Sequence, residues 1–172
     1  LFSGWGVRTL GVGQARYNPM SYHNGSIWPH DNAMICEGLA RYGHIDAALT
    51  MLSAAFDCSM GFEGGRLPEL FCGFPRRPTE GPTRYPVACS PQAWAAAAVF
   101  GMLGGCLGMD ADGRDRFVKL RSPRLPGFVD WLRIDELEVG GRRMDLLLQR
   151  YRDGTGVEVA RREDGVQVSV VV

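Results

Sequence analysis

The sequence predicts a mainly α fold that ends in a small β region. Before Gly108, three stretches carry apolar residues at helical spacing, and two of them open with a proline. After Gly108, the pattern changes to short runs rich in β-branched and aromatic residues, separated by Gly-Gly and Asp-Gly pairs. These observations divide the chain into a helical portion, residues 1–108, and a C-terminal antiparallel β appendage, residues 109–172.

The first helix is predicted from Pro29, because proline suits the first helical position and Asp31 favours the first turn through the helix dipole. Gly43 supplies its end. A second helix is predicted over residues 45–57, close enough to pack as an antiparallel neighbour. Its buried side is expected to carry Ala48, Leu49, Leu52, Ala55 and Phe56.

A third helix is predicted from Ser90-Pro91 to Leu107, because a capping residue followed by proline is typical of a helix start. It is rich in alanine and glycine and apolar all round, so it is expected to be packed on every side, with Trp94 in the core. The proline- and glycine-rich stretch before it, residues 59–89, is long for a connection and is typical of a functional loop.

The β appendage is predicted from five short segments. FVKLR and FVDWLRI carry β-branched and aromatic residues, and a hairpin is predicted around Gly140-Gly141, between LEV and RRMDLLL. VEVA and VQVSVVV lie on either side of Asp164-Gly165.

The composition excludes several classes of protein. Lysine plus arginine equal aspartate plus glutamate, at 19 each, so neither nucleic acid nor a membrane is expected as a partner. The five cysteines show no zinc-site spacing, and the glycines near the N-terminus do not fit the dinucleotide pattern, so no metal or cofactor is expected. Reduced cysteines and the lack of a long apolar run indicate a cytoplasmic protein. Because it begins at Leu1, the chain is expected to be a piece of a longer protein.

The stretch YNPMSYHNGSIWPHD, residues 17–31, has neither helical nor strand periodicity. A surface loop is one interpretation, since Asn, Gly, Ser and Pro make turns. So many rings beside amide, imidazole and carboxylate groups favour a sugar pocket instead, because a sugar has an apolar face and a rim of hydroxyls. The candidate substrate-binding residues are Tyr22, His23, Asn24, Trp28, His30 and Asp31.

Four stretches in this order carry a resemblance to a known family: SGWGVRTL, YNPMSYHNGSIWPHDNA, RLPELFCGFPR and YPVACSPQAWAAAA. The chain resembles the bacterial amylo-α-1,6-glucosidase or glycogen-debranching type of glycoside hydrolase over residues 3 to 100. The resemblance implies a six-hairpin glycosidase fold, the (α/α)6 toroid, of which this chain would be the C-terminal part. It also implies an inverting mechanism without a metal.

By the same resemblance, the catalytic base is a glutamate on the long loop before a tryptophan-containing helix, the position of Glu69. A salt bridge to Arg66 or Arg76 is the structural alternative for this carboxylate. Glu63 and Glu80 are further candidates, although glycines and prolines around them suggest exposure.

Other side chains of the loop also have structural alternatives. Asp31 caps backbone amides, grips a sugar hydroxyl or is itself catalytic. His23 and His30 are either ordinary loop residues or sugar contacts, and Trp28 and Tyr22 are expected to stack on a pyranose face.

The sequence therefore predicts a fragment of an inverting glycoside hydrolase of carbohydrate metabolism, acting on α-glucosidic linkages such as the α-1,6 branch points of glycogen-like glucans. Its partner would be an oligosaccharide or glucan, with the general acid upstream of Leu1, and the chain is expected to self-associate or to need the missing half of the toroid. The alternative is a non-catalytic carbohydrate-binding or assembly module. A toroidal phosphorylase is a third hypothesis, but no phosphate cradle is found.

Overall fold

A computed structural model of the chain describes residues 1–152 and 154–171. Helices and strands follow one another along the sequence. The helices are α1 (Pro29–Arg41), α2 (Ile45–Ser59) and α3 (Ala93–Cys106), with a 3₁₀ turn at Glu63–Gly65. The strands are β1 (Met109–Asp112), β2 (Phe117–Arg121), β3 (Trp131–Val139), β4 (Arg142–Tyr151), β5 (Gly154–Arg162) and β6 (Gln167–Val171).

The predicted mainly α fold, a partial (α/α)6 toroid, is wrong. The described residues form three α-helices and two three-stranded sheets, with about as many residues in strands as in helices. Apart from the 3₁₀ turn, residues 1–28 and 60–92 form no helix, because glycine and proline interrupt helical periodicity there. The chain is therefore a mixed α and β structure in which long loops pack onto three helices.

Helices α1 and α2 form where they are predicted, and α1 packs against both α2 and α3. Glycines allow α1 and α3 to approach closely: a Cβ atom at Gly105 would lie 3.0 Å from the Cα atom of Glu37. One apolar cluster joins the three helices to the loops. It contains Trp5, Ile27, Ala33, Cys36, Ala48, Met51, Leu52, Ala55, Cys58, Phe62, Leu67, Phe71, Ala95, Ala98, Met102 and Cys106.

Helix α3 differs from its prediction in two ways. It begins at Ala93, because Gln92 is extended and serves as the N-cap residue. It is also packed on one side only, since Trp94 is 58% exposed and Phe100 is 76% exposed. The expectation that Trp94 lies in the core is therefore wrong, as is the burial of Phe56, which is 50% exposed on α2.

The β region forms two sheets. One is antiparallel, in the order β3-β4-β5, and includes the predicted hairpin between β3 and β4. The other has the order β1-β2-β6, and β6 runs parallel to β2, so the expectation of a purely antiparallel appendage is wrong. β6 joins β2 across the chain and does not form a hairpin with β5. Val172, the last residue of the predicted VQVSVVV segment, lies outside the described residues.

The two sheets enclose a second apolar cluster. Its buried residues are Leu107, Val118, Leu120, Leu125, Val139, Met144, Leu146, Leu148 and Val166. Leu103 on α3 packs against this cluster and against the helical one. A domain boundary at Gly108 stays a prediction.

Two further observations concern the cysteines and the possibility of a membrane-spanning helix. Four cysteines are buried and Cys89 is exposed. Within the described part of the chain, no helix combines the length and apolar character needed to cross a membrane.

Asn32 on α1 ties the N-terminal segment to the helical core. Its side-chain Oδ1 accepts a hydrogen bond from the Val7 N–H at 2.7 Å, and its Nδ2 donates to the Val7 carbonyl at 3.0 Å. Nδ2 also donates to the Trp28 carbonyl at 2.9 Å. The side chain is buried, so it replaces water for the N–H and carbonyl groups of Val7, which belongs to no helix or named strand.

We expect Asn32→Ala to lower the free energy of unfolding by about 2 kcal/mol or more, because the Val7 N–H loses its acceptor in a partly buried position. Urea denaturation measures the change. Asn24→Ala is the matched control, since that side chain is exposed, and its change should stay within about 0.5 kcal/mol. Equal stability of the two variants would contradict this role for Asn32.

Candidate functional site

Two loops that are far apart in the sequence meet through one backbone pair. The Ile27 N–H donates to the Phe71 carbonyl at 2.9 Å, and the Phe71 N–H donates to the Ile27 carbonyl at 3.0 Å. Both side chains are almost completely buried in the helical cluster. The pair fixes the register of the two loops and so places the polar aromatic stretch, residues 17–31, beside Glu69.

Glycines allow the loops to lie in contact next to this pair. A Cβ atom at Gly73 would lie 1.7 Å from the Gly25 carbonyl oxygen, which no side chain can tolerate. The Gly73 N–H donates to the Pro19 carbonyl at 2.8 Å, so the second loop is bonded to the first at this point as well. The two loops can therefore come this close only because residue 73 is a glycine.

Glu69 is held by hydrogen-bond donors on both carboxylate oxygens. The Tyr22 hydroxyl donates to Oε1 at 2.7 Å, and the Cys89 N–H donates to Oε2 at 3.1 Å. The Gln92 side chain also contributes to lowering the pKa of this carboxylate. The Glu69 N–H donates in turn to the Cys89 carbonyl at 2.9 Å, so backbone and side chain are fixed together.

These bonds set the charge of the pair. The Cys89 N–H and then the Tyr22 hydroxyl lower the pKa of Glu69, because they stabilise the ionised form more than the protonated form. The bond to Glu69 raises the pKa of Tyr22, since ionisation of the phenol would place two negative charges together. At neutral pH the site therefore holds a carboxylate and a neutral phenol that donates to it.

The salt bridge weighed as the alternative for Glu69 is not formed. Arg76 pairs with Asp57 at 2.8 Å, and its guanidinium lies over the Trp5 ring at 4.4 Å. Among the residues that the structure describes, Glu69 has no ion pair with Arg66 either. The carboxylate is thus held by neutral donors and keeps its full negative charge.

An aromatic cluster surrounds this carboxylate. The Tyr22 ring meets His23, Trp28 and Tyr85 in edge-on contacts, with centroids 4.6, 4.8 and 5.7 Å apart. His23 lies parallel to Trp28, with 6.0 Å between the ring centroids. Trp28 is buried, and it supports the other rings from beneath. His23 is exposed at the rim of the cluster.

The first turns of α1 and α3 contribute the next part of the site. The His30 ring lies 5.9 Å from Trp28 and 4.1 Å from Trp94, measured between centroids. The His30 Nε2 atom contacts Asp31 Oδ1 at 2.8 Å. Because Trp94 is largely exposed, its ring offers an open aromatic surface beside His30.

Two buried polar atoms of the cluster have no partner among the described residues: His30 Nδ1 and Gln92 Oε1. When His30 Nε2 donates to Asp31, Nδ1 of the neutral ring is an acceptor, and Gln92 Oε1 is an acceptor as well. Buried acceptors without a donor are costly, so an unpaired group suggests a bound water or ligand. The site therefore presents acceptors to a molecule rich in hydroxyl groups.

A cleft elsewhere in the chain is a weaker candidate. A cleft of about 850 Å³ lies at the other end of α1 and α3 and is bordered by Glu37, Arg41 and Arg121. Arg121 pairs there with Asp110 at 3.4 Å. Both buried atoms without partners belong to the Glu69 cluster and not to this cleft.

The structure brings most of the predicted site residues together. Tyr22, His23, Trp28 and His30 form one ring cluster, Tyr22 bonds to Glu69, and Asp31 bonds to His30. Asn24 is exposed, and its backbone N–H donates to Ser21 Oγ at 3.3 Å. Glu63 is exposed on the 3₁₀ turn, and Glu80 lies 3.6 Å from Arg77.

Four members of the cluster were missed by the sequence reasoning. They are Tyr85, Cys89, Gln92 and Trp94. All lie in YPVACSPQAW: Tyr85 and Cys89 end the predicted functional loop, whereas Gln92 and Trp94 begin the predicted third helix. Its polar residues and its tryptophan, placed where an apolar helix begins, were the available signal.

Comparison with known proteins bears on the polar aromatic loop, residues 17–31. Residues 2–64 match the family model of the mannosylglycerate hydrolase MGH1-like glycoside hydrolase domain. The matched segment contains the loop from Tyr22 to Asp31 and ends before Glu69. This match supports a glycoside hydrolase as the class of protein. It does not support the amylo-α-1,6-glucosidase type in particular. No curated protein matches the chain.

We expect Gly73→Ala to force the two loops apart, because the added methyl group would overlap the Gly25 carbonyl. The free energy of unfolding should fall by about 1–3 kcal/mol or more, as for other overpacked positions. Gly81→Ala is the control, since no atom lies within 4 Å of that position. Urea denaturation of both variants tests the close approach, which would be refuted if Gly73→Ala were as stable as its control.

Proposed function

We propose that the chain carries part of the active site of a glycoside hydrolase that cleaves α-glucosidic linkages by inversion, with Glu69 as the general base. The observation that carries the proposal is the Glu69 carboxylate, held by Tyr22 and Cys89 beside an open aromatic cluster. The match of residues 2–64 to a glycoside hydrolase domain supports the same reaction class.

The protonation state of Glu69 suits a base. An inverting glycosidase uses one ionised carboxylate to activate water while a second carboxyl group protonates the leaving oxygen. The neighbouring donors lower the pKa of Glu69, so it is ionised at neutral pH. A carboxylate has about four lone-pair sites, and the two hydrogen bonds from Tyr22 and Cys89 leave about two for the attacking water.

The acceptors around Glu69 favour a neutral sugar. His30 Nδ1 and Gln92 Oε1 lack donors, and a pyranose ring supplies several hydroxyl donors on its rim. Trp94 offers an exposed ring on which the apolar face of the sugar can lie. An anionic ring substituent would instead face the negative charge of Glu69 without a compensating cation among these contacts.

In this proposal the general base and the general acid belong to different parts of the protein. Glu69 supplies the base, and the general acid predicted upstream of Leu1 stays a prediction. Asp31 bonds to His30, so we assign it to orienting that ring toward the sugar. The matched family is named for mannosylglycerate hydrolysis, so α-mannosides stand beside α-glucosides as substrates to test.

Glu69→Gln in the full-length protein tests the base. The substitution keeps the shape and removes the charge that activates water, so kcat should fall about 10² to 10⁴-fold. KM should change little, because a base acts mainly in the transition state. Turnover is measured with maltooligosaccharides, an aryl α-glucoside, an aryl α-mannoside and mannosylglycerate.

Glu63→Gln is the matched control, because Glu63 is an exposed glutamate on the same loop. Its kcat should equal that of the unmodified protein. Normal turnover in Glu69→Gln would move the base to another carboxylate. Saturable sugar binding without turnover of any substrate would favour the alternative, a non-catalytic carbohydrate-binding module.

A further inference from the structure

Tyr22 is expected from the sequence to stack on a sugar, but its ring is already occupied. The rings of His23, Trp28 and Tyr85 all meet it in edge-on contacts, with centroids 4.6 to 5.7 Å away, and Tyr22 is half-buried. Its hydroxyl is committed to Glu69 Oε1 at 2.7 Å. A ring in this position has little free surface for a ligand, whereas its hydroxyl contacts the proposed base directly.

The backbone of Tyr22 is fixed as firmly as its side chain. Its carbonyl accepts a hydrogen bond from the Ser26 hydroxyl at 2.6 Å and another from Trp28 Nε1 at 3.1 Å. Trp28 Nε1 also donates to Ser26 Oγ at 3.0 Å. Ser26 and Trp28 are both buried, so this triangle of bonds is shielded from water. The phenol is therefore aimed at Glu69 by buried groups.

We propose that Tyr22 is a positioning residue for Glu69 and not a sugar-stacking residue. Its hydroxyl holds Oε1 in place and favours the ionised carboxylate, while the Cys89 N–H does the same for Oε2. The remaining lone pairs of the carboxylate then point toward the attacking water. Among the donors to Glu69, Tyr22 is the one that joins the aromatic loop to the base.

Tyr22→Phe separates the two roles, because it keeps the ring and removes the hydroxyl. Loss of a hydrogen bond to a charged group should raise the pKa of Glu69 toward the ordinary glutamate value. The acid limb of the kcat profile should then move to higher pH. At neutral pH, kcat should fall about 10-fold or more through loss of orientation, with little change in KM. Replacing Tyr22 with 3-fluorotyrosine, a stronger donor, should lower the Glu69 pKa and move the acid limb the other way.

The kinetic part of this inference rests on the proposed function, so the pKa of Glu69 is also measured directly. Carboxyl-¹³C glutamate labelling gives its titration by NMR, and the Glu69→Gln spectrum assigns the signal. Tyr42→Phe is the matched control, because Tyr42 follows the last residue of α1, away from the ring cluster, and is 82% exposed. That variant should leave the Glu69 titration and kcat unchanged.

The possible results are distinct. A raised Glu69 pKa in Tyr22→Phe, with lower kcat and steady KM, supports the positioning role. An unchanged Glu69 pKa would overturn it whatever the activity, and so would a raised KM at normal kcat, which is the signature of a stacking residue. If the Glu69 pKa rises but the unmodified protein hydrolyses no glycoside, the pairing is upheld and the proposed function alone fails.

Discussion

The reciprocal backbone pair between Ile27 and Phe71 is the constraint on which the site depends. Neither residue belongs to a helix or to one of the six strands, yet each gives and accepts one hydrogen bond and buries its side chain in the helical core. The pair lies one residue before Trp28 and two residues after Glu69. A slip of one residue would turn neighbouring side chains to opposite faces and would separate the rings from the carboxylate.

The close approach of Gly25 and Gly73 has the same effect at the next contact between the loops. Long loops cost conformational entropy when they are ordered, and here the cost is offset by the buried side chains of Ile27 and Phe71. The loops are thus fixed to each other by backbone hydrogen bonds and by buried side chains. A rigid support is what a positioned base requires, because small displacements of reacting groups lower the rate strongly.

The site combines apolar support with one negative charge. Trp28 is buried, while the charge of Glu69 is held by neutral donors and forms no ion pair among the residues that the structure describes. This arrangement lowers the pKa of Glu69 and keeps Tyr22 protonated. Unpaired acceptors on His30 and Gln92 complete a surface that suits hydroxyl groups better than anions. Several independent features therefore favour the same class of ligand.

Local signals in the sequence were sufficient for some elements and insufficient for others. Pro29 and the apolar stripe that follows it were enough for α1, and the Gly140-Gly141 turn was enough for its hairpin. Composition also directed attention to the loop at residues 17–31, and the resemblance to a known family directed it to Glu69. The parallel pairing of β6 with β2 was missed because it joins strands far apart in the chain, and no local pattern encodes such a pair.

The packing of the helices was also not predictable from local sequence patterns. Alanine-rich α3 was expected to be enclosed, but the described residues cover only one side of it, and the toroid inferred from the resemblance is not formed. Within the site, the roles of Tyr22 and Gln92 depended on contacts across loops. A sequence shows that a tyrosine is present, but whether its ring or its hydroxyl is free follows from the packing.

The indole N–H signals of the four tryptophans give the most direct test of the central claim, that the cluster around Glu69 binds a neutral glycoside. Maltotriose is titrated into the ¹⁵N-labelled protein and followed by NMR. Trp94 and Trp28 should shift together in a saturable manner, since both lie beside His30. Trp131 is 63% exposed on β3 and should not move, so it reports non-specific contact. A shift of Trp131 alone, or no shift of Trp94 at saturating sugar, would contradict the account.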